Sequence, residues 1–425
     1  MKIWKSLLIF SIVLILIVQA GCSSSKSSSG DGDSNGVVTL KFWDFHSEAE
    51  KKFFQDLVKE YNTSHKDQVK IEYTAFNQSD YTTTKLPVAF ANEEGPDIFM
   101  VSPGDFTKYA QSGIMADLNS YFPEGAKEDF LPASLEAVTY QDKVLALPYE
   151  LELLGLYYNK KMLADKGVEV PKTWDELQAA AKKLTTDKVA GLVLPTDKGP
   201  YLNFIWYPFL WQQGGNVLNE DGTKSTFTSP EVVKALDYWG SFFKDGSAPS
   251  KLQYGPWDAS NIGTGSAAMT ILGTWAVPVL ENQFKDVEIG LAPIPTPAGG
   301  KAATDAGGWK MAVNSKSKNV KEAAKFIMWC FAEDSSRPLK WATEIKFAYS
   351  PRQSVIKEGE KIYGEGLRKV FTEEIYDSAI PEPRYGPEVV DAVGEAMQKV
   401  MFGKVKGEDA AKEADKKIEE ALKKK

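Results

Sequence analysis

The chain has 425 residues, 43% of them hydrophobic and 12% aromatic, enough apolar mass for two or three domains. Its 50 basic residues stand against 58 acidic ones, a net charge of −8. That balance excludes a general nucleic-acid binder, which needs a basic surface to displace counterions, and two histidines exclude a multi-histidine metal centre.

The N-terminus opens with Lys2 and Lys5 ahead of the apolar run Leu7–Val18, then "QAGCSSSKSSSGDGDSNG". A charged start, a short apolar core and small residues at the break describe an export signal rather than a membrane-spanning helix. The Ala20-Gly21-Cys22 step resembles a bacterial lipobox, although Gln19 stands where that pattern usually has an aliphatic residue. The resemblance implies a signal peptide over 1–21, lipidation of Cys22 and anchoring by lipid alone. Residues 22–36 then read as a flexible tether. Cys330, in "FIMWCFAE", is expected to be a buried thiol, so no internal disulfide is available.

After the tether, "VVTLKFW" predicts a strand. Ser47 with Glu50 makes a capping-box pattern, and Phe53, Phe54, Leu57, Val58 and Tyr61 recur at helical spacing. "QVKIEYTAF" alternates as a strand should, Ser79–Asn92 reads as a helix that Pro87 should kink or split, and "PDIFMV" returns a strand. Strand–helix–strand–helix–strand signals a parallel sheet, whose ligands bind beyond the carboxyl ends of the strands. Trp43–His46, Asn77–Gln78 and Ser102–Asp105 sit at such ends. Further on, Thr173 and Glu176 form a second capping box, and Trp174 is expected to pack down its own helix. "GLAPIPTPAGG" breaks the chain, "GGWKMAVN" resumes a strand, Val320–Ala332 is helical, and the tail from Pro387 is helical to its end.

Taken in order, "FWDFHSEAEKKFFQDLVKEYN", "EEGPDIFMVSPGDFTKYAQSGIMADLNSYF", "LPYELELLGLYYNKKMLADKGVEVPKTWDELQAAAKKL", "GSAAMTILGTWAVP", "GLAPIPTPAGGKAATDAGGWKMAVNSKSKNVKEAAKFI" and "PRQSV" resemble the extracellular solute-binding proteins of carbohydrate ABC importers, the group that includes the maltose-binding protein. The resemblance implies an α/β, two-lobed periplasmic-binding-protein type II fold with hinge-linked lobes and an interlobe ligand cleft. It places lobe 1 at 37–147 plus 303–351 and lobe 2 at 148–302 plus 352–425. The crossovers then fall near Leu147–Leu151, Gly300–Asp305 and Ser350–Ser354. It further implies a monomer outside the bacterial cell membrane that delivers a carbohydrate to the permease's transmembrane subunits, with no cofactor, metal or nucleic acid.

A pyranose offers an apolar face for an aromatic plate and hydroxyls for carboxylates, amides and arginine. Trp43 and Asp44 suit that pairing, with His46, Asn77, Gln78 and Asp105 on the neighbouring loops; the competing reading is a core tryptophan and a capping acid. Glu150 and Glu152 interrupt an apolar run at the first crossover, where the partner is a sugar hydroxyl or a cation such as Arg352. Trp206 and Trp211 lie in an aromatic run as suited to core as to cleft, while Trp257 and Asp258 precede the "GTW" turn. The family pattern turns Trp275, Gly307, Gly308 and Trp309 toward the sugar. Arg352 would grip hydroxyls with its fork or close a salt bridge. A polyamine or peptide ligand on the same fold, and an exported carbohydrate-active enzyme, are the alternatives.

Overall fold

The computed structural model describes residues 36–46, 48–403 and 405–424. The expected signal peptide, most of the tether, Cys22 and the Ser47 cap lie outside the described residues. Within them, thirteen strands run in chain order: β1 Val38–Asp44, β2 Val69–Ala75, β3 Ile98–Val101, β4 Thr139–Tyr140, β5 Lys143–Val144, β6 Leu147–Pro148, β7 Glu152–Asn159, β8 Ala190–Val193, β9 Ala267–Gly273, β10 Ile289–Ala292, β11 Thr304–Gly307, β12 Lys310–Val313 and β13 Ala379–Pro381.

The first sheet has the order β2-β1-β3-β12-β6. Its first three strands are parallel, as the alternating pattern predicts, and β12 enters antiparallel between β3 and β6. The helix Glu48–Ser64 lays Phe53, Phe54, Leu57, Val58 and Tyr61 on this sheet. Pro87 does not break the segment after β2. A wide helical turn over Tyr81–Lys85 precedes it, and Pro87 falls in the first turn of Leu86–Ala91, where its missing N–H costs no helical bond.

The second sheet runs β13-β11-β7-β9-β8, with β10 also paired to β7. The capping box of Thr173 and Glu176 forms and seats Trp174 in the second lobe's core. Cys330 is fully buried and free in the first. The tail from Pro387 is helical as expected, in two helices, Pro387–Phe402 and Gly407–Leu422.

Each sheet has its own apolar core, so the α/β two-lobed architecture expected from the resemblance is the one observed. The chain leaves the first sheet at Pro148 and enters the second at Glu152. It returns later than expected. Thr304–Gly307 pairs with β7 and β13, so it belongs to the second lobe, and the return falls at Gly308–Trp309 rather than Gly300–Asp305. The third passage begins ahead of Ser350, since Trp341 packs in the first core while Phe347 and Tyr349 pack in the second lobe, and it extends through Arg352 and Ser354, which still bond Asp129 of the first.

Candidate functional site

Strands β1, β2 and β3 are parallel, so the loops after them open on one edge. Trp43 is half-buried, edge-on to Phe76 at 4.9 Å between ring centres. Asp44 is different. Its fully buried carboxylate accepts from Tyr73 Oη at 2.5 Å, from the Phe45 and His46 amides, and meets His46 Nδ1 at 2.7 Å. Burial works to raise the Asp44 pKa, but the charge and hydrogen bond of His46, with those of Tyr73 and Phe45, outweigh it and hold it below its usual range. Burial likewise opposes charge on His46, and Asp44 overcomes it, so the imidazole pKa stands above its ordinary value. The ring is buried between Phe45 and Phe54.

At the first crossover, Glu150 accepts from the Trp309 amide (3.0 Å), Trp341 Nε1 (3.0 Å) and Lys346 Nζ (3.1 Å). The same ammonium lies 2.7 Å from Glu152. Burial raises Glu152 to about 7, with Lys346 pulling the other way. Gly308 has φ of +109°, and a Cβ there would meet the Glu150 carbonyl oxygen at 2.5 Å. Only glycine allows this close approach of two crossover strands. It sets the half-buried Trp309 against Phe45, 4.1 Å between ring centres.

The second lobe presents an aromatic wall. Tyr201 and Phe204, on the helix Pro200–Trp211, stand near Trp275 at 6.4 and 6.5 Å, and Trp257 meets Tyr201 edge-on at 5.9 Å. Trp275 Nε1 donates to the Trp257 carbonyl at 2.9 Å, which fixes the two indoles together. Tyr201 Oη is buried without a hydrogen-bond partner among the described residues. Phe204 reaches Gly307, two residues before Trp309, so this wall and the first-lobe aromatics flank the same crossover strand.

Between the walls lies a charged seam. Glu382, just past β13, comes from the second lobe and stands beside Gly104 of the first. Lys310, on β12, donates to the Gly308 carbonyl. Burial lowers Lys310 to about 8 against the pull of Glu382, Glu150, Glu152 and Asp305. Burial raises Glu382 to about 8, opposed by Lys310. Asp305 is fully buried, neither carboxyl oxygen has a partner among the described residues, and burial followed by repulsion from Glu382 raises it well above the usual range.

Several residues expected to hold ligand are committed elsewhere. Asp44 and His46 are bonded to each other inside the first lobe. Trp206 and Trp211 are buried in the second core, Trp211 against Tyr207. Arg352 binds Asp129 at 2.7 Å through Nε and the carbonyls of Phe331 and Asp334 through Nη1. Asp258 caps the Ser260 amide and Asn77 the Ser79 amide. Gln78 is half-buried in the helix that Asn77 caps, and Asp105 accepts from Ser102. Glu152, Trp257, Trp275, Gly308 and Trp309 are brought to the crossover region and its flanking walls, while Trp43 packs against Phe76 at the edge of the first sheet. Sequence reasoning missed Tyr201, Phe204, Lys310, Lys346 and Glu382. Of these only Lys310, inside "GGWKM", and Glu382, an acid between two prolines in "PEPRY", carried any local signal.

The architecture has close counterparts. A solute-binding protein from Thermotoga lettingae, solved with α-D-tagatose, superposes with a TM-score of 0.80 at 25% identity, covering 91% of this chain and 100% of that one. The cyclic α-maltosyl-1,6-maltose binding protein of Arthrobacter globiformis gives 0.71 at 26% identity, over 92% and 100%. In sequence, the arabinooligosaccharide-binding protein of Bacillus subtilis is 25% identical over 344 residues, 78% of this chain and 77% of its own. The family model of bacterial extracellular solute-binding proteins matches residues 46–337, from the first cleft loop to beyond the last strand of the first sheet, and the chain belongs to that family.

Proposed function

We propose that the protein captures a carbohydrate, an oligosaccharide, between its lobes and delivers it to the membrane permease of an ABC importer. The observation that carries this reading is the pair of aromatic surfaces flanking one crossover: Tyr201, Trp257 and Trp275 on one side, Trp309 against Phe45 on the other. Aromatic faces cover the C–H faces of sugar rings, and a few directed polar groups satisfy the hydroxyls. Relatives named for arabino-oligosaccharide and cyclic maltosyl-maltose binding support the same class. Export and anchoring through a lipidated Cys22, with hinge closure of a monomer around its cargo, complete the proposal.

Binding without turnover is part of it. A glycosidase needs two free carboxyl groups across the scissile bond, and Glu150 is committed to three internal donors. A polyamine is the second reading, favoured by the acids Glu152, Asp305 and Glu382 around the seam.

The test is a thermal-shift screen of residues 37–425 against arabino- and malto-oligosaccharides of graded length, polyamines and peptides, with product analysis on each hit. Cargo at a hundredfold its dissociation constant adds about 2.7 kcal/mol. Stabilisation by a glycan series without cleavage is the expected result. Stabilisation by polyamines or peptides alone would replace the cargo, and cleavage products would make the protein an enzyme.

A further inference from the structure

The ionisable groups around the crossover fall into two kinds. Asp44, Glu150 and Arg352 are each held by several bonds from within the protein. Glu382 does not: among the described residues its carboxyl makes no hydrogen bond, and the residue is half-buried rather than sealed. One carboxyl oxygen faces Gly104 of the first lobe, where a Cβ would meet it at 3.3 Å. The other faces Gly307, where a Cβ would meet it at 2.9 Å and the Phe204 ring at 2.6 Å. Two glycines, one from each lobe, thus let a carboxyl that has no partner among the described residues fit close between their backbones, next to the aromatic wall.

The segment bearing it is fixed to the opposite lobe. Thr107 Oγ1 donates to the Arg384 carbonyl at 2.9 Å, and Arg384 Nη1 donates to the Thr139 carbonyl at 2.6 Å. The Arg384 guanidinium lies over Phe106, 5.8 Å from the ring centre. On its own lobe, the Glu382 amide donates to the Ala306 carbonyl. A side chain on a segment pinned to both lobes is held in position without spending its carboxyl on the pinning.

We propose that Glu382 is a further cargo-contacting residue, placed in the seam between the lobes to select a polar group of the cargo beside the Tyr201–Trp275 wall. The proposal rests on the carbohydrate reading above and names a determinant of its specificity. Four titratable groups act on or with Glu382: Lys310 from β12, Asp305 from β11, Glu152 from β7 and Asp105 from the helix Pro103–Gln111. Burial, with repulsion from Asp105 and Glu152, outweighs the pull of Lys310 and raises the Glu382 carboxyl to about 8, so it is largely protonated at neutral pH. In that form it donates a hydrogen bond to a hydroxyl or ring oxygen and accepts one on its other oxygen. The ionised form only accepts, so cargo that needs the donor is lost as pH rises past the Glu382 value.

The test is calorimetric titration of the wild type, Glu382→Gln and Glu382→Ala with maltotriose, arabinotriose and spermidine at pH 6, 7.5 and 9. Thermal unfolding of each variant is followed in parallel. For the glycan bound by the wild type, Glu382→Ala is expected to weaken binding tenfold or more. Glu382→Gln, which keeps a donor and an acceptor, is expected to stay within threefold at pH 6. It should also abolish the loss of affinity that the wild type shows between pH 7.5 and 9. Wild-type affinity at all three pH values in both variants would overturn the role of Glu382 and leave the carbohydrate reading intact. Binding of spermidine alone, lost in Glu382→Ala, would do the reverse. A wild type that binds none of the three would overturn both. If Glu382→Ala fails to fold, the pH profile of the near-isosteric Glu382→Gln decides.

Discussion

Lys346 Nζ lies 2.7 Å from the Glu152 carboxylate and 3.1 Å from that of Glu150, so one buried ammonium joins the first and third passages between the lobes. Removing one partner of a buried ion pair leaves uncompensated charge and costs about 3–5 kcal/mol. Lys346→Ala is expected to lose stability on that scale, read from the urea midpoint. Lys346→Met with Glu150→Gln and Glu152→Gln should recover much of it. A loss below about 1 kcal/mol for the single change would mean that the three groups are not coupled.

The seam makes stability depend on pH. Glu152 at about 7 and Glu382 at about 8 both stand above the value near 4.5 that they have in an unfolded chain. The folded protein therefore keeps protons that the unfolded chain gives up. Their stabilising contribution is complete below about pH 4.5 and is lost as pH rises through 7 and 8. His46, also raised, loses its contribution in the same direction. Unfolding free energy is expected to fall between pH 5 and 8, and Glu152→Gln with Glu382→Gln to flatten that fall. A wild-type profile rising over this range would reject the assignment.

Asp44→Ala is expected to act on folding, because it leaves His46, Tyr73 and two amides without their acceptor. Unsatisfied buried groups cost about 1–3 kcal/mol each, so a loss of at least 3 kcal/mol is expected in chemical denaturation. A large drop in cargo affinity with unchanged stability would return Asp44 to the cleft.

Two tryptophans of one lobe should behave in opposite ways. Trp206→Ala empties a fully buried site and is expected to cost about 3–5 kcal/mol of stability. Trp275→Ala, at a half-buried position on the wall, is expected to weaken glycan binding tenfold or more, about 1.4 kcal/mol. Calorimetry with thermal unfolding on both variants separates the two effects.

Gly308→Ala places a Cβ 2.5 Å from the Glu150 carbonyl oxygen in a backbone conformation with φ of +109°. Strain of this kind costs about 1–3 kcal/mol. A melting temperature lowered by several degrees is expected, and an unchanged one would show that the crossover yields easily.

The elements were legible because their signals are local: alternation in β1 and β2, helical spacing after Glu48, the capping box at Thr173. The second crossover was misplaced because "TDAG" is too short and too small to announce a strand, and becomes one only by pairing with β7 and β13. At the cleft, composition could not distinguish a tryptophan with a free face from one enclosed by its own core, and so Trp206 and Trp257 looked alike. Asp44 and Arg352 were misread for a related reason. Their partners, Tyr73 and Asp129, are 29 and 223 residues away, and no spacing rule reaches that far.

The place of β12 in the first sheet bears on how the chain acquires its structure in time. Strand β12 lies between β3 and β6, yet it is made only after the whole second-lobe stretch Glu152–Gly307. At synthesis rates of about 5–20 residues per second, β3 waits roughly 10–40 s and β6 roughly 8–30 s for the strand that separates them. Until then both present unpaired edges, a hazard for aggregation. The first lobe is thus completed late, and the nascent chain remains open and threadable through most of its synthesis.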